Sequence, residues 1–580
     1  MKKGWAYLLV LVMMLSIPSG IASTEAAKPT VLTLGFTSSA PMEIWAMSNE
    51  LKQLREEYNI EFEWTLYDDE KFSLILASNE LPDIVMPRQY HMAAIIDNGM
   101  ALNLDPLLAE YAPNLTSEVY SAAQELSRMM IGGPNHELYF LPVGLGMESA
   151  IVSETASRGY TVRWDLYKEL GCPPIESDDD YLEVIRQMVE ICPPAQNGQP
   201  VYGIGLYDNF TQWFVRGPWI MDSASLCMWT FSGSQYMATI EDTTLINGYT
   251  TTNRSAYWTD MRFYNKLYNT GLLDPDSFIM TLDEYNAKMA AGQYVAANNA
   301  GNASLYTQRL KDDPNTLAGL VVVPSANAVV GARKLQVTGG MPTDSIFISK
   351  NSPNWEAALT ALNFFADSDT VRMTYNGIEG VDWAYNEEGV PYITEKGLND
   401  RTAYTTGFED YVANTGIYGQ IYNFTMFQGT AIAPDGYVYN LAQMPDFRVL
   451  TLDPLRKDIA ATFGVSRPSE ALMNLVYEGK TIDNRNDYAQ LVAMGITDIP
   501  LDITRIMTNC NDILYNAIPD LVMAASPEAF EAEQQKVLDA LLAADEPIAW
   551  AWCEEAFNAS KAIMQPLFEQ ALELYDKTAK

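Results

Sequence analysis

Between Lys28 and Met86 the chain switches back and forth between two hydrophobic periods, and this restricts its fold more than any other feature. Val31 to Phe36 is a short apolar run, and Ile44, Met47, Leu51 and Leu54 then recur at steps of 3, 4 and 3, one stripe of a helix. Ile60, Phe62, Trp64 and Leu66 alternate strictly, the pattern of a strand with one buried face. A second helix over about 70–78 leads to the apolar run Leu81 to Met86. Strand, helix, strand, helix, strand predicts an α/β domain with a mainly parallel sheet, whose ligand crevice is lined by the loops that leave the strand C-termini. At 580 residues the chain exceeds the size at which a single core stops growing, so two or more domains are expected.

The middle of the chain carries helix signals with clear stops. Ser177 and Asp180 form a cap for a helix whose buried stripe is Val184, Ile185, Met188, Val189 and Cys192. Tyr257, Met261, Tyr264 and Tyr268 share one helix face, and Gly271 stands where a left-handed cap ends it. Thr281 with Glu284 reads as a capping box for a helix bearing Leu282, Tyr285 and Met289, closed by Gly292 before the strand-like Tyr294, Val295 and Ala296. Gly319 to Pro324 and Asp344 to Lys350 read as strands, and Ser352-Pro353 as the N-cap and first-turn proline of the next helix.

Composition narrows the class. Lys2 and Lys3, an apolar run from Trp5 to Ile17 and small residues around Gly20 and Ala22 have the three regions of a secretory signal peptide, with cleavage expected after Ala22 or Ala26. The competing reading is an uncleaved anchor, for which the apolar run is short. The net charge of -38 disfavours nucleic acid and anionic membrane surfaces as partners, although Arg88, Arg163 or Arg216 could supply a local positive site. Cys172, Cys192, Cys227, Cys510 and Cys553 are odd in number and scattered, without the spacing of a disulfide framework or a zinc site. At most a single disulfide, Cys172–Cys192, is open to the chain.

Catalytic signatures are weak. His91 and His136 are the only histidines, and neither belongs to an HExxH or GxSxG pattern. GxGxxG and GxxxxGK[ST] do not occur, and Gly203 to Tyr207 reads as a strand. Asp178 to Asp180 lacks the spaced oxygens and the glycine of a calcium loop and reads as a solvated helix N-terminus. No catalytic residue, metal site or cofactor is expected. Acidic side chains are abundant, so a glycosidase carboxylate pair remains an alternative. By contrast, Trp213, Trp219 and Trp229 lie in one short stretch with Asp222, the mixture of aromatic faces and directional polar groups that suits sugars.

Several segments together resemble one family: NGYTTTNRSAYWTDMRFYNKLYNTGLLDPDSF from Asn247, LPDIV at Leu81 to Val85, GPNHELYFLPVG at Gly133 to Gly144, RWDLYKELGCPP at Arg163 to Pro174, NGIEGVDW at Asn376 to Trp383 and DYAQLVAMG ending at Gly495. They are similar to the sugar-type extracellular solute-binding proteins of ABC importers, over roughly residues 30–525. Asn135-His136 departs from the usual Gly-Lys. Many members carry a lipid-bearing cysteine directly after the signal; the first cysteine here is Cys172, so anchoring by that route is not expected.

The resemblance implies an α/β, two-lobed periplasmic-binding-protein-like fold with a hinge of several crossings and a helical C-terminal part. It implies a signal over 1–26, a first lobe from 27–141 and its return 324–366, and a second lobe from 142–323 and 367–580. It also implies an exported monomer, in the periplasm or at the outer face of the membrane, that captures a carbohydrate and presents it to permease subunits. The alternatives are a secreted polysaccharide-degrading enzyme and the same fold binding peptides or another nutrient. By position in the motifs, the implied ligand-binding residues are Trp45, Arg88, Gln89, Tyr90, Trp213, Trp219, Asp222, Asn299, Glu379, Asp382 and Trp383.

Overall fold

β1 (Thr30–Phe36) is followed by α1 (Met42–Trp45), α2 (Asn49–Tyr58) and β2 (Ile60–Leu66), and the two strands pair in parallel from Thr30 against Ile60 to Phe36 against Leu66. The single helix expected over Ile44 to Leu54 is thus two, because Ser48 adopts an extended backbone and its hydroxyl accepts from Leu51 N at 3.4 Å, starting α2 afresh. α3 (Asp69–Ser78) begins on an Asp68 cap and ends at a left-handed Asn79. β3 (Ile84–Met86) then lies parallel to β1 on its other side, and α4 (Gln89–Asp97) follows. β2 is the edge strand, which explains why Leu66, expected on a buried face, is 52% exposed. The structure is a computed structural model describing residues 28–36, 42–147, 159–207, 226–227, 234–239, 242–297, 304–325, 335–336, 345–403, 408–419, 426–480, 488–496 and 499–576.

α5 (Leu108–Tyr111), α6 (Ser121–Ile131) and β4 (Leu141–Pro142) bring the chain to the far side of this sheet. The gap between β3 and β4 is filled from much later in the sequence by the strand Ser345–Ile348, antiparallel to both, which completes a five-stranded sheet. Asp83, just before β3, joins the distant pieces. Its Oδ2 accepts from both N and Oγ1 of Thr33 in β1, each at 2.8 Å, and its Oδ1 accepts from Ser352 Oγ. Thr33 Oγ1 in turn accepts from Asp83 N, and Asp83 O accepts from Ser349 N. Ser352 Oγ donates to Asp83 and accepts from Asn354 N at 3.0 Å, and the helix Trp355–Phe365 starts on Asn354, two residues after the expected Ser352 cap.

β5 (Gly146–Met147), β6 (Thr161–Arg163), α7 (Trp164–Glu169) and α8 (Asp178–Ile191) lead into a second core. There β6 pairs antiparallel with Leu320–Val322, and the extended segments at Tyr202 to Ile204 and Tyr294 to Ala296 run beside each other. The helix Ala256–Asn269 buries Tyr257, Met261 and Tyr264 as read, Gly271 has φ 71°, and the Thr281–Glu284 capping box is formed in both directions. Three helices, Leu501–Val522, Pro527–Ala543 and Glu546–Asp576, close over this core. Phe530, Val537 and Leu541 are buried, whereas the adjacent Leu542 is 66% exposed. No described helix is long and apolar enough to cross a membrane.

Core membership locates the connections between the two units. The chain leaves the first core at Leu145 and enters the second at Tyr160, returns between Val323 and Ile346, and crosses again between Tyr439 and Leu455. β5, on the first connection, pairs antiparallel with Leu335–Gln336 on the second. α6 serves both cores, Ala122 and Leu126 facing the second and Ala123 the first. The last crossing differs from the sequence reading, which sends the chain to the second lobe at 367: Val371, Tyr375, Val412, Tyr418, Phe427 and Tyr439 all pack in the first core. Helical periodicity shows that Ser368–Asn376 buries a face but not against which sheet.

Asp83→Ala removes three hydrogen bonds to a buried carboxylate that holds β1, β3 and the returning segment together. We expect a loss of about 2–4 kcal/mol in unfolding free energy by urea titration, with Asp83→Asn recovering part of it because an amide keeps one acceptor oxygen.

Candidate ligand-binding site

In a sheet of this topology the open crevice lies beyond the C-terminal ends of the parallel strands, here Phe36, Leu66 and Met86. Arg88 follows β3 at that end and is exposed, in the N-cap position of α4 without a side-chain cap bond. Gln89 and Tyr90 form the first turn of α4; their side chains lie outside the described residues.

Trp45 sits at the same end but turns inward. It is 1% exposed, stacks on Phe62 with ring centroids 5.8 Å apart, and approaches Phe365 and Tyr418 at 5.8 and 6.4 Å. The expectation that it contacts ligand is therefore not matched by its placement: its faces are occupied by core rings. Its indole Nε1 donates to Glu50 Oε1 at 3.0 Å, while Glu50 Oε2 is buried with no hydrogen-bond partner among the described residues. Loss of water around this carboxyl pushes it from the ordinary 4.5 up to about 7, against the opposing pull of its hydrogen bonds. The sequence held no cue to Glu50, since a glutamate in the first turn of a helix is ordinarily solvated.

The NGIEGVDW motif is a structural knot more than an open site. Asp382 is buried; its Oδ2 accepts from Ile378 N at 2.9 Å and its Oδ1 pairs with Lys396 Nζ at 2.8 Å. Trp383, also buried, donates from Nε1 to Gly377 O at 3.1 Å and lies beneath the Arg372 guanidinium at 5.5 Å. Gly377 has φ 84°, and a Cβ there would come within 2.4 Å of Asp382 Oδ2, so the turn requires glycine. Asp382 and Trp383, expected at the ligand, thus serve the turn, and Glu379 remains exposed on it.

Trp213, Trp219, Asp222 and Asn299 lie outside the described residues, as does Arg216. The described chain on either side is well packed. Tyr207 is the last described residue before Trp213 and packs on Tyr285, which stacks on Tyr294; the Tyr294 hydroxyl donates to buried Asp274 at 2.7 Å. Ala297, ahead of Asn299, is held by Thr161 Oγ1 at 2.9 Å. Beside Tyr207 is a cavity of about 200 Å³ lined by Ser277, Phe278, Tyr515, Asn516, Ile518 and Pro519. Tyr515 and Asn516 carried no signal in the sequence, because only the tertiary fold sets their helix against Tyr207.

Other sequence candidates are accounted for by packing. Arg163 is buried and forked onto Asp165 at 2.8 and 2.9 Å, so it offers no free positive site. Cys172 and Cys192 are both free thiols, not a bridge. Of the Asp178 to Asp180 run, Asp178 accepts from the Tyr160 hydroxyl, Asp179 pairs with Lys266 and Asp180 accepts from Ser177. Among the described residues no group of three or more His, Cys, Asp or Glu side chains could hold a metal. Glu546, held by Tyr236 and Asn247, and Asp260, on the helix Ala256–Asn269, are also pushed up by burial; both belong to the second core, so neither faces Glu50 as a pair.

Glu50 makes stability pH dependent. Its folded-state pKa is raised, so its contribution is fully present below about 4.5 and lost as pH rises through about 7. We expect Glu50→Gln to flatten this part of the pH–stability curve and to be the more stable form at pH ~8 by on the order of 1–3 kcal/mol, read from denaturant midpoints.

The sequence matches the family model described as bacterial extracellular solute-binding protein over residues 49–371, more than half of the chain. The lipoprotein LipO of Bacillus subtilis (strain 168) is 23% identical over 413 residues, 68% of this chain and 76% of LipO. Among solved structures, the HMO-binding ABC-transporter-associated solute-binding protein of Bifidobacterium longum infantis ATCC 15697 gives a TM-score of 0.57 at 13% identity, over 92% of this chain and 99% of that one. The ABC-transporter substrate-binding protein FusA of S. pneumoniae, an EF-hand mutant in complex with fructo-nystose, gives 0.56 at 15% identity, over 92% of this chain and 100% of that one. At these identities the structural likeness establishes the fold, two lobes of α/β architecture, and the match to the family model establishes the kinship: the chain belongs to the bacterial extracellular solute-binding proteins.

Proposed function

We propose that the protein is the extracytoplasmic capture subunit of an ABC importer and that its ligand is a neutral sugar or oligosaccharide. The observation that carries this reading is the pair of separate cores joined by three crossings, the connections Leu145 to Tyr160, Val323 to Ile346 and Tyr439 to Leu455. Such a frame lets two lobes close on a ligand while each keeps its own packing, and closure removes water from the captured molecule. A ligand that binds the closed form more tightly than the open one shifts the population, and the closed surface is what permease subunits in the membrane would recognise.

A carbohydrate fits the chemistry of the stretch Trp213, Trp219 and Asp222 with Arg88 and Asn299: ring faces to stack on, and directional donors and acceptors for hydroxyls. It also agrees with the solved relatives, one described as HMO binding and one holding fructo-nystose. An affinity near micromolar, about -8 kcal/mol, is within reach of a few stacked aromatics and hydrogen bonds. The first lobe comprises about 27–147 with the return 345–440, and the second the remainder after the signal over 1–26. The chain works as an exported monomer without cofactor or catalytic residues.

The test is a thermal-shift screen of residues 27–580 against mono- and oligosaccharides, uronates and short peptides, with chromatography of each mixture after overnight incubation. A rise in melting temperature with an intact saccharide is expected, and Trp213→Ala should weaken that ligand by at least about tenfold. Stabilisation by peptides alone would move the ligand class, and cleavage of a saccharide would overturn the capture role in favour of a hydrolase.

A further inference from the structure

The first lobe contains a second cavity, of about 530 Å³, that lies wholly outside the second lobe. Its walls come from three separate stretches: Pro113 to Tyr120, Ala366 to Ser368, and Phe427 to Tyr439. The aromatic side is formed by three rings of the first core, each almost wholly buried, Tyr120 against Phe427 at 5.3 Å and Phe427 stacked on Tyr439 at 5.2 Å. The polar side is made of Asn114, Thr116, Ser117, Asp367 and Ser368.

The charge of this lining selects among ligands. It contains no Lys, Arg or His and a single carboxylate, Asp367, which leaves an anion nothing to pair with. Asp367 spends Oδ2 on capping the helix Ser368–Asn376, accepting from Asp369 N and Thr370 N, and Oδ1 has no partner among the described residues. The Tyr439 hydroxyl, pushed up to about 12 by burial, lies 3.3 Å from Ser368 Oγ, and either of the two can donate to the other. Apolar ring carbons, hydroxyls, an amide and one acceptor oxygen in a space of this size match a small polyhydroxylated molecule.

We infer that this cavity is a second binding site of the protein, taking a neutral mono- or disaccharide within the first lobe alone, apart from any ligand held between the lobes. Its position gives it a use. Tyr120 directly precedes α6, the helix shared by both cores, and Tyr439 is the last first-core residue before the third crossing. A molecule seated there touches both segments next to the hinge, so its occupancy couples to lobe closure.

The site stands independently of the cleft reading, and one experiment separates them. In methyl NMR spectra of residues 27–580, the methyls of Val119 and Ile432, which line the cavity, are followed while glucose, sucrose and maltose are added at millimolar concentration, with an alkylamine as a cationic control. Saturable shifts with at least one sugar are expected. Thr116→Trp fills the cavity from an exposed position and should abolish those shifts without changing the melting temperature; Tyr439→Phe, which keeps the ring and removes the donor, should weaken them several-fold. The shifts should persist in Trp213→Ala. No saturable shift with any of the sugars, a response to the amine alone, or shifts that vanish in Trp213→Ala while surviving Thr116→Trp would each overturn the inference.

Discussion

One buried carboxylate sets the geometry of the first lobe. Asp83 accepts from Thr33 on β1 and from Ser352 at the end of the returning segment, while its own backbone carbonyl receives Ser349 N. These contacts join residues separated by 50 and 269 positions in the sequence. They add to the pairing of Ser345–Ile348 with β3 and β4 and to the burial of Ile346, Phe347 and Ile348, which place that strand between them. A buried carboxylate is costly when unpaired, so this register is enforced by the penalty for leaving Asp83 unsatisfied as much as by the bonds themselves.

That insertion also creates the hinge. A strand that must return to the first sheet from the second core obliges the chain to cross between units more than once, and crossings lying side by side can pair, as β5 does with Leu335–Gln336. Paired crossings permit rotation of one unit against the other while resisting separation. α6 fits this role, with Ala122 and Leu126 packed in one core and Ala123 in the other.

Much of the framework is legible in the sequence because its signals are local. The alternation over Ile60 to Leu66, the stripe Tyr257, Met261 and Tyr264, the Gly271 stop and the Thr281–Glu284 box all report on residues within one turn or one strand of each other. Misreadings arose where a local cue met a distant partner. Ser352 reads as a helix cap but also donates to distant Asp83, and the helix starts two residues later on Asn354; Leu66 reads as a buried strand face but lies on an edge, and Ser48 splits one periodic stripe into two helices. Site residues are harder still: Trp45, Asp382 and Trp383 have the right chemistry for a ligand, and packing uses them internally.

The sequence by itself determined the strand–helix alternation, the helix limits, the acidic charge and the likeness to one family, all of which follow from neighbouring residues and composition. Only the tertiary structure decided which core owns Val371, Tyr375, Val412, Tyr418, Phe427 and Tyr439, that Glu50 is buried against Trp45, and that Tyr120, Phe427 and Tyr439 meet around one cavity. The physical reason is the same in each case. Periodicity tells a side chain to leave water but carries no information about which partner it will meet, and that choice is made by long-range packing and by satisfying buried polar groups.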